Sequence, residues 1–375
     1  MIRVAFDIHA VGEQATGNET YAEGLLHQYL QAPAPDMDFR FYQTRPLAPG
    51  QNRARFRRLW PAQPWLRLPL ATPWALWRDR VDVAHFQYFA PPWASCPAVL
   101  TVHDLSFERN PDYFPLSMAT RMRTLMPGQV RRAAHVIAVS NATRDDLVEL
   151  YGVASERVSV IHNGVGPGFV PPQPDGPRPA ILERLDIRTP YILGVGNLGM
   201  RKNQRTLVRA FASLPAARQG RLQLVLVGKR TESASEVMDE IRQCGVAENI
   251  RLAGFVDTGD LVALYGHALF SVYLSFYEGF GLPILESMAC GTPVLTSSLS
   301  CMPEVAGDAA LLVQPDDTDA VVAALGRLAE DPALRQHLSQ AGRIHAARYS
   351  WTEAARQTQA VYRQVHHENR AWRGG

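Results

Sequence analysis

"ALFSVYLSFYEGFGLPILESMACGTPVLTS", Ala268 to Ser297, carries an apolar run, a Gly-Phe-Gly turn, an apolar stretch entered at Pro283 and a second β-branched run. The pattern predicts strand, tight turn, helix and strand. Glycines 279 and 281 let the backbone turn closely, proline suits a helix start, and a strand re-entered after a helix pairs in parallel. The first amides of that helix lack intrahelical acceptors, so the backbone of Gly279, Phe280, Gly281 and Leu282 is expected to cradle an anion. Glu278 and Glu286 flank it, the second expected in the first helical turn. Carboxylates only accept hydrogen bonds, which suits them to hydroxyl groups beside the anion rather than to the anion itself. A nucleotide-sugar, with diols on both sides of a phosphate, matches that layout; the plainer reading is a capped helix with two surface carboxylates.

The same alternation runs through the chain. "IRVAFDI", "PAVLTVHD", "HVIAVS", "VSVIHNG", "YILGVG", "LQLVLVG", "NIRLAGF", "ALFSVYL", "PVLTS" and "AALLV" are short β-branched runs separated by helical patterns. Strands this apolar are buried on both faces, which predicts an α/β protein with doubly wound parallel sheets. "GVGPGFVPPQPDGPRP", beginning at Gly164, interrupts the alternation with proline and glycine and is the expected linker between two domains. Two sheets of comparable size are then expected to face across a cleft, with ligands beyond the carboxyl ends of the strands. From Trp351, "WTEAARQTQAVYRQVHHENRAW" reads as a closing helix with a Thr-Glu start.

Composition narrows the partners. At 375 residues, 46% hydrophobic and 20% charged, the chain is an ordinary globular protein of two-domain length. A formal charge of +2 with no single-sign run argues against nucleic acid, and none is expected as a partner. The cysteines at 96, 244, 290 and 301 have neither disulfide nor zinc spacing. "MIRVAFDI" leads straight into a strand, and no run reaches membrane-spanning length, so a cytoplasmic location is expected.

Further candidate residues stand at strand ends. "YILGVGNLGMRKN" places Arg201 and Lys202 before a helix near Asn203, where two cations would stabilise a departing diphosphate. Lys202 is one of only two lysines, the other 36 basic residues being arginine. The second, Lys229, ends another strand with a supporting or structural role. Gly194, Gly196 and Gly199 formally match a dinucleotide fingerprint, but the acidic residue expected about 20 positions on is missing. "TVHDLSF" brings His103 and Asp104 to a strand end, and "ATGNETYAEGLL" offers Gly17 and Asn18 at a helix start. Asp36 and Asp38 form an Asp-x-Asp pair assigned to a surface loop, and no metal is expected. "RARFRRLWPAQPWLRLPLATPWALWRDR", Arg53 to Arg80, gathers seven arginines and four tryptophans. It reads either as an irregular loop with packed tryptophans or as a peripheral contact with the inner face of an anionic membrane.

"SFYEGFGLPILESMACGTPV" resembles the glutamate-x7-glutamate motif of the family 4 retaining glycosyltransferases. The likeness extends through "CMPEVAGDAALLVQPDD", "VGNLGMRKN", "VIHNGV" and "VIAVSNATRDDL" to "TVHDLSFERNPDYF". It implies the GT-B fold: residues 1–165 as an acceptor-binding Rossmann-like domain joined by a returning C-terminal helix, about 351–375, and 166–350 as the donor-binding domain. By the same resemblance Glu278 meets hexose hydroxyls, Glu286 the ribose diol, Arg201 and Lys202 the diphosphate, and His103 the donor's 6-hydroxyl. Family members have a glycine-rich loop where this chain has Gly17 alone, which leaves Asn18 facing either diphosphate or acceptor.

The expected activity is metal-independent, cofactor-free transfer of a hexose, with a lean toward mannose, from a nucleoside diphosphate sugar to a sugar, glycan or lipid-linked hydroxyl acceptor. Two other readings stay open: another enzyme on this scaffold, such as a sugar-nucleotide epimerase or a phosphorylase, and a non-catalytic nucleotide-binding scaffold. A phosphorylase of this fold needs a pyridoxal-binding lysine late in the chain, and none follows Lys229.

Overall fold

All ten apolar runs form strands, in a computed structural model that describes residues 1–13, 17–48, 51–173, 176–188, 190–231 and 233–374. The backbone divides into two compact units, Met1–Gly164 with Ser350–Gly375, and Val165–Tyr349. Among the described residues no helix is long and apolar enough to cross a membrane.

The first unit holds a seven-stranded parallel sheet of β1 (Ile2–Asp7), β2 (Met37–Gln43), β3 (Phe56–Arg58), β4 (Val83–Gln87), β5 (Ala98–Val102), β6 (His135–Ala138) and β7 (Val158–Val160). Their order is β3-β2-β1-β4-β5-β6-β7. On one face Val4, Phe6 and Val83 pack against Tyr21, Leu25 and Tyr29 of the helix Gly17–Gln31, and against Trp351, Ala355 and Tyr362 of the helix Trp351–Gly374. On the other, Ala84, Phe86 and Leu100 pack against Leu76, Met126 and Leu147.

The closing helix is thus part of the first unit. Its start is fixed by Ser350, whose hydroxyl accepts from the Glu353 amide at 3.1 Å, rather than by the expected Thr-Glu pair. At its middle, Tyr362 contacts the buried His85, with 2.6 Å between the hydroxyl and Nδ1, while Thr101 lies 2.7 Å from Nε2. Burial pushes that imidazole down to about 3, so it is neutral, with both ring nitrogens engaged.

The second unit holds β8 (Tyr191–Val195), β9 (Gln223–Val227), β10 (Ile250–Gly254), β11 (Phe270–Tyr273), β12 (Val294–Ser297) and β13 (Leu311–Val313), again all parallel, in the order β10-β9-β8-β11-β12-β13. Winding reverses between β8 and β11, and a sheet of this kind opens a ligand crevice at the carboxyl ends of such a strand pair. The proline-rich stretch expected as the linker begins at Gly164, the last residue of the first unit's main segment, and touches the second unit at a few points: the Phe169 ring is 6.2 Å from Tyr265, and a Cβ at Gly266 would lie 2.8 Å from Pro172, while Val170 and Pro172 stay exposed.

Candidate active site

β11 ends at Tyr273 and the chain runs on to Glu278, where the turn Gly279–Gly281 opens the helix Leu282–Ala289. Gly281 sits at φ +91°, in the left-handed region that glycine adopts without strain, and no side chain caps the helix. The Gly281 and Leu282 amides have no hydrogen-bond partner among the described residues, and Pro283 has no N–H to satisfy. The quoted stretch therefore folds as expected, with one correction: Glu286 lies in the second helical turn, because the helix starts at Leu282.

The loop after β8 is built to deliver cations to the same place. Gly196 adopts φ +142°, and a Cβ there would lie 3.2 Å from the Lys202 stem. The Gln204 side chain donates to the Gly196 and Asn197 carbonyls at 3.2 and 3.1 Å and accepts from the Gly199 amide at 3.3 Å, pinning the loop. Arg201 and Lys202 lie in a single 3-10 turn, Met200–Lys202, ahead of the helix Gln204–Ser213. Phe276 donates its amide to the Arg201 carbonyl at 3.0 Å, which ties the β8 and β11 loops together.

Glu278 is where these parts meet. Lys202 Nζ is 2.6 Å from one carboxylate oxygen and Arg201 NH1 2.7 Å from the other. The side chain is 9% exposed, and burial opposes its charge; Arg201 and then Lys202 outweigh that and bring it to about 2. Lys202 also donates to the Tyr273 hydroxyl at 2.6 Å, and Ser300 holds the Glu278 carbonyl at 2.7 Å. Glu278 was expected to stand beside the anion as an acceptor for hydroxyls alone, yet it is also the clamp that positions both cations.

Glu286 has the opposite setting. It is half-buried with no cation paired to it among the described residues, and burial lifts it to about 7 despite a 3.3 Å hydrogen bond from the Tyr265 hydroxyl. Lys229 Nζ lies over the Phe255 ring, 5.1 Å from its centroid.

In the first unit His103 follows β5 and is buried, its Nε2 2.7 Å from Gln87 Oε1. A carbonyl oxygen can only accept, so Nε2 carries the proton and Nδ1 is left as the acceptor. Burial holds the ring at about 3 and neutral. Asp104 does not join it: its carboxylate accepts from the Ser106 amide at 3.0 Å and hydroxyl at 2.7 Å, because the next helix begins there. Gly17 and Asn18 form the first turn of the helix Gly17–Gln31, and residues 15 and 16 of the quoted loop lie outside the described residues. Asp36 is paired with Arg363 at 2.7 and 2.9 Å and Asp38, inside β2 rather than a loop, with Arg40 at 2.5 Å.

Tyr273, Gln204 and Gln87 escaped the sequence reading. Tyr273 and Gln87 are the last residues of their strands, the position at which α/β sheets present functional groups, and that rule alone could have found them.

Comparison with known proteins fits this geometry. Residues 26–168 match the family described as Glycosyltransferase Family 4, and residues 181–345 match Glycosyl transferases group 1. The chain is 33% identical over 297 residues to O-antigen chain mannosyltransferase B of Escherichia coli, covering 79% of this chain and 77% of that one. Among solved structures, sucrose-phosphate synthase from Thermosynechococcus elongatus superposes with a TM-score of 0.80 at 22% identity over 97% of this chain and 99% of its own. HepE of Anabaena in complex with UDP and glucose does so with 0.76 at 18%, over 97% and 100%. In sequence and in its two-sheet GT-B fold, the chain belongs to the family 4 glycosyltransferases.

Proposed function

We propose that this glycosyltransferase transfers a hexose from a nucleoside diphosphate sugar to a sugar, glycan or lipid-linked hydroxyl acceptor, with retention of configuration and without a metal. The observation that carries the reading is the ionised Glu278 held between Arg201 and Lys202 beside an uncapped helix start. Mannose is the favoured sugar, supported by the kinship to an O-antigen mannosyltransferase. A nucleoside diphosphate donor is supported by the UDP and glucose complex of HepE.

The donor's diphosphate is assigned to the Gly281 and Leu282 amides and to the cations Arg201 and Lys202, which neutralise charge as the leaving group departs. These cations supply the positive charge that the reaction needs, so no metal enters the scheme. Glu278 accepts from hexose hydroxyls while orienting the pair, Glu286 accepts from the ribose diol, and the unprotonated Nδ1 of His103 is assigned to a sugar hydroxyl. Gly17 and Asn18 are assigned to the diphosphate or the acceptor. The bond from the anomeric carbon to the phosphate oxygen breaks as the acceptor oxygen bonds to the same face. The acceptor's proton passes to a donor phosphate oxygen, so no protein nucleophile is required.

Purified enzyme incubated with GDP-mannose and a panel of UDP-sugars, with the product's anomeric configuration read by NMR, tests this scheme. An α-linked product from an α-linked donor, formed equally with a chelator present, is expected. An inverted product, or loss of activity on chelation, would reject the mechanism.

A further inference from the structure

Five of the chain's seven tryptophans stand mostly in solvent: Trp60 at 74%, Trp65 at 71%, Trp74 at 55%, Trp77 at 69% and Trp93 at 66% exposure. Large aromatic surface is ordinarily buried, and a cluster of this size left outside marks a contact. The tryptophans are brought together by one local feature. The helical pieces Pro64–Leu66, Arg67–Ala71 and Thr72–Arg78 are contiguous, and the middle one is a wide π-type turn in which the Thr72 amide bonds to the Arg67 carbonyl. Its extra residue resets the helix phase. Arg67, Thr72, Ala75 and Leu76 point inward and are buried, while Trp65, Leu70, Trp74 and Trp77 are exposed. Trp93 joins them from a neighbouring loop by donating its indole N–H to the Pro69 carbonyl at 2.9 Å.

The exposed charge of this stretch is of one sign. Arg53, Arg58, Arg78 and Arg80 are exposed, and the Arg78 guanidinium lies 5.0 Å from the Trp74 ring centroid. Asp79 is the only carboxylate from position 53 to position 80, and Arg57 and Tyr42 occupy it. Tryptophan settles at the level of lipid headgroups, and arginine around it is drawn to anionic lipid. A symmetric contact between two copies would instead set like-charged arginines against one another.

We propose that this face docks the protein on an anionic phospholipid surface. The docking stands apart from the transfer reaction, and where both hold it places the enzyme beside a lipid-linked acceptor.

Sedimentation of the full chain with vesicles of phosphatidylcholine alone, or of phosphatidylcholine mixed with phosphatidylglycerol, tests the proposal. Binding to the mixed vesicles only, weakened by salt and accompanied by a blue shift of tryptophan emission, is expected. Arg78→Gln with Arg80→Gln should reduce partitioning about fivefold per arginine, and Trp74→Ser with Trp77→Ser about tenfold or more. Both variants alter exposed residues, so stabilisation by added GDP or UDP should match that of the parent. Failure of the parent to bind the mixed vesicles, or variants that bind as the parent does, would overturn the proposal. So would tryptophan-dependent self-association in gel filtration without vesicle binding, which would assign the face to a second copy.

Discussion

Glu278 and Glu286 are the same residue type eight positions apart, and their surroundings drive them in opposite directions. Glu278 is buried between two cations and stays ionised; Glu286 is enclosed without one and holds its proton to about pH 7. Removing Lys202 leaves Glu278 with Arg201 alone, and removing Glu278 leaves two adjacent cations uncompensated. Lys202→Ala and Glu278→Ala are therefore each expected to lower kcat by about 100-fold to 1,000-fold in steady-state assays. The second group gives a pH dependence whose sign follows from the role proposed for it. Only the carboxylate can accept from both hydroxyls of a diol, so donor affinity should rise with pH through about 7 and level off above it. Below that point it should fall by up to about tenfold per unit. Calorimetric titration of the parent against Glu286→Gln checks this, since the variant's affinity should be flat over the same range.

At the scale of elements, strands buried on both faces announced themselves by apolar runs, whereas β2, β3 and β4 did not. β2 interleaves Asp38 and Arg40 with its buried residues and ends on a buried glutamine, Gln43, β3 is three residues long, and β4 carries His85 and Gln87, polar groups that are buried and hydrogen-bonded. The loss of β4 is what concealed Gln87 as the partner of His103. The glutamates and the basic pair were legible because turn chemistry and charge are local. The ion pairs that join them span 76 and 77 residues, and Asp104 could not be separated from His103 by adjacency alone. Helix contacts offer a direct test. A Cβ at Gly24 would fall 2.2 Å from the Trp351 ring, so Gly24→Ala should cost about 1–3 kcal/mol through overpacking. Gly326→Ala, in the helix Thr318–Glu330 with nothing within 4 Å, should instead add about 0.5–1 kcal/mol. Urea unfolding midpoints should move in opposite directions.

On the scale of the whole molecule, each unit has its own core, but only the second is built from one continuous segment. Truncation after Tyr349 would strip Trp351, Ala355, Tyr362 and Val365 from the first core and leave His85 without its tyrosine. Such a chain should lose the first unit's cooperative transition and bind hydrophobic dyes. The second unit should still gain about 2.7 kcal/mol from nucleotide at a hundred times its Kd. Calorimetry with and without GDP or UDP separates the two effects, and an intact first transition in the truncated chain would refute the dependence.

The returning helix also orders events during translation. Tyr349, the last residue of the second unit, is synthesised before Tyr362 and Val365, so the half begun first is the half completed last. Until then the nascent sheet offers an uncovered aromatic face, and chaperones that recognise such faces would find their target at the beginning of this polypeptide.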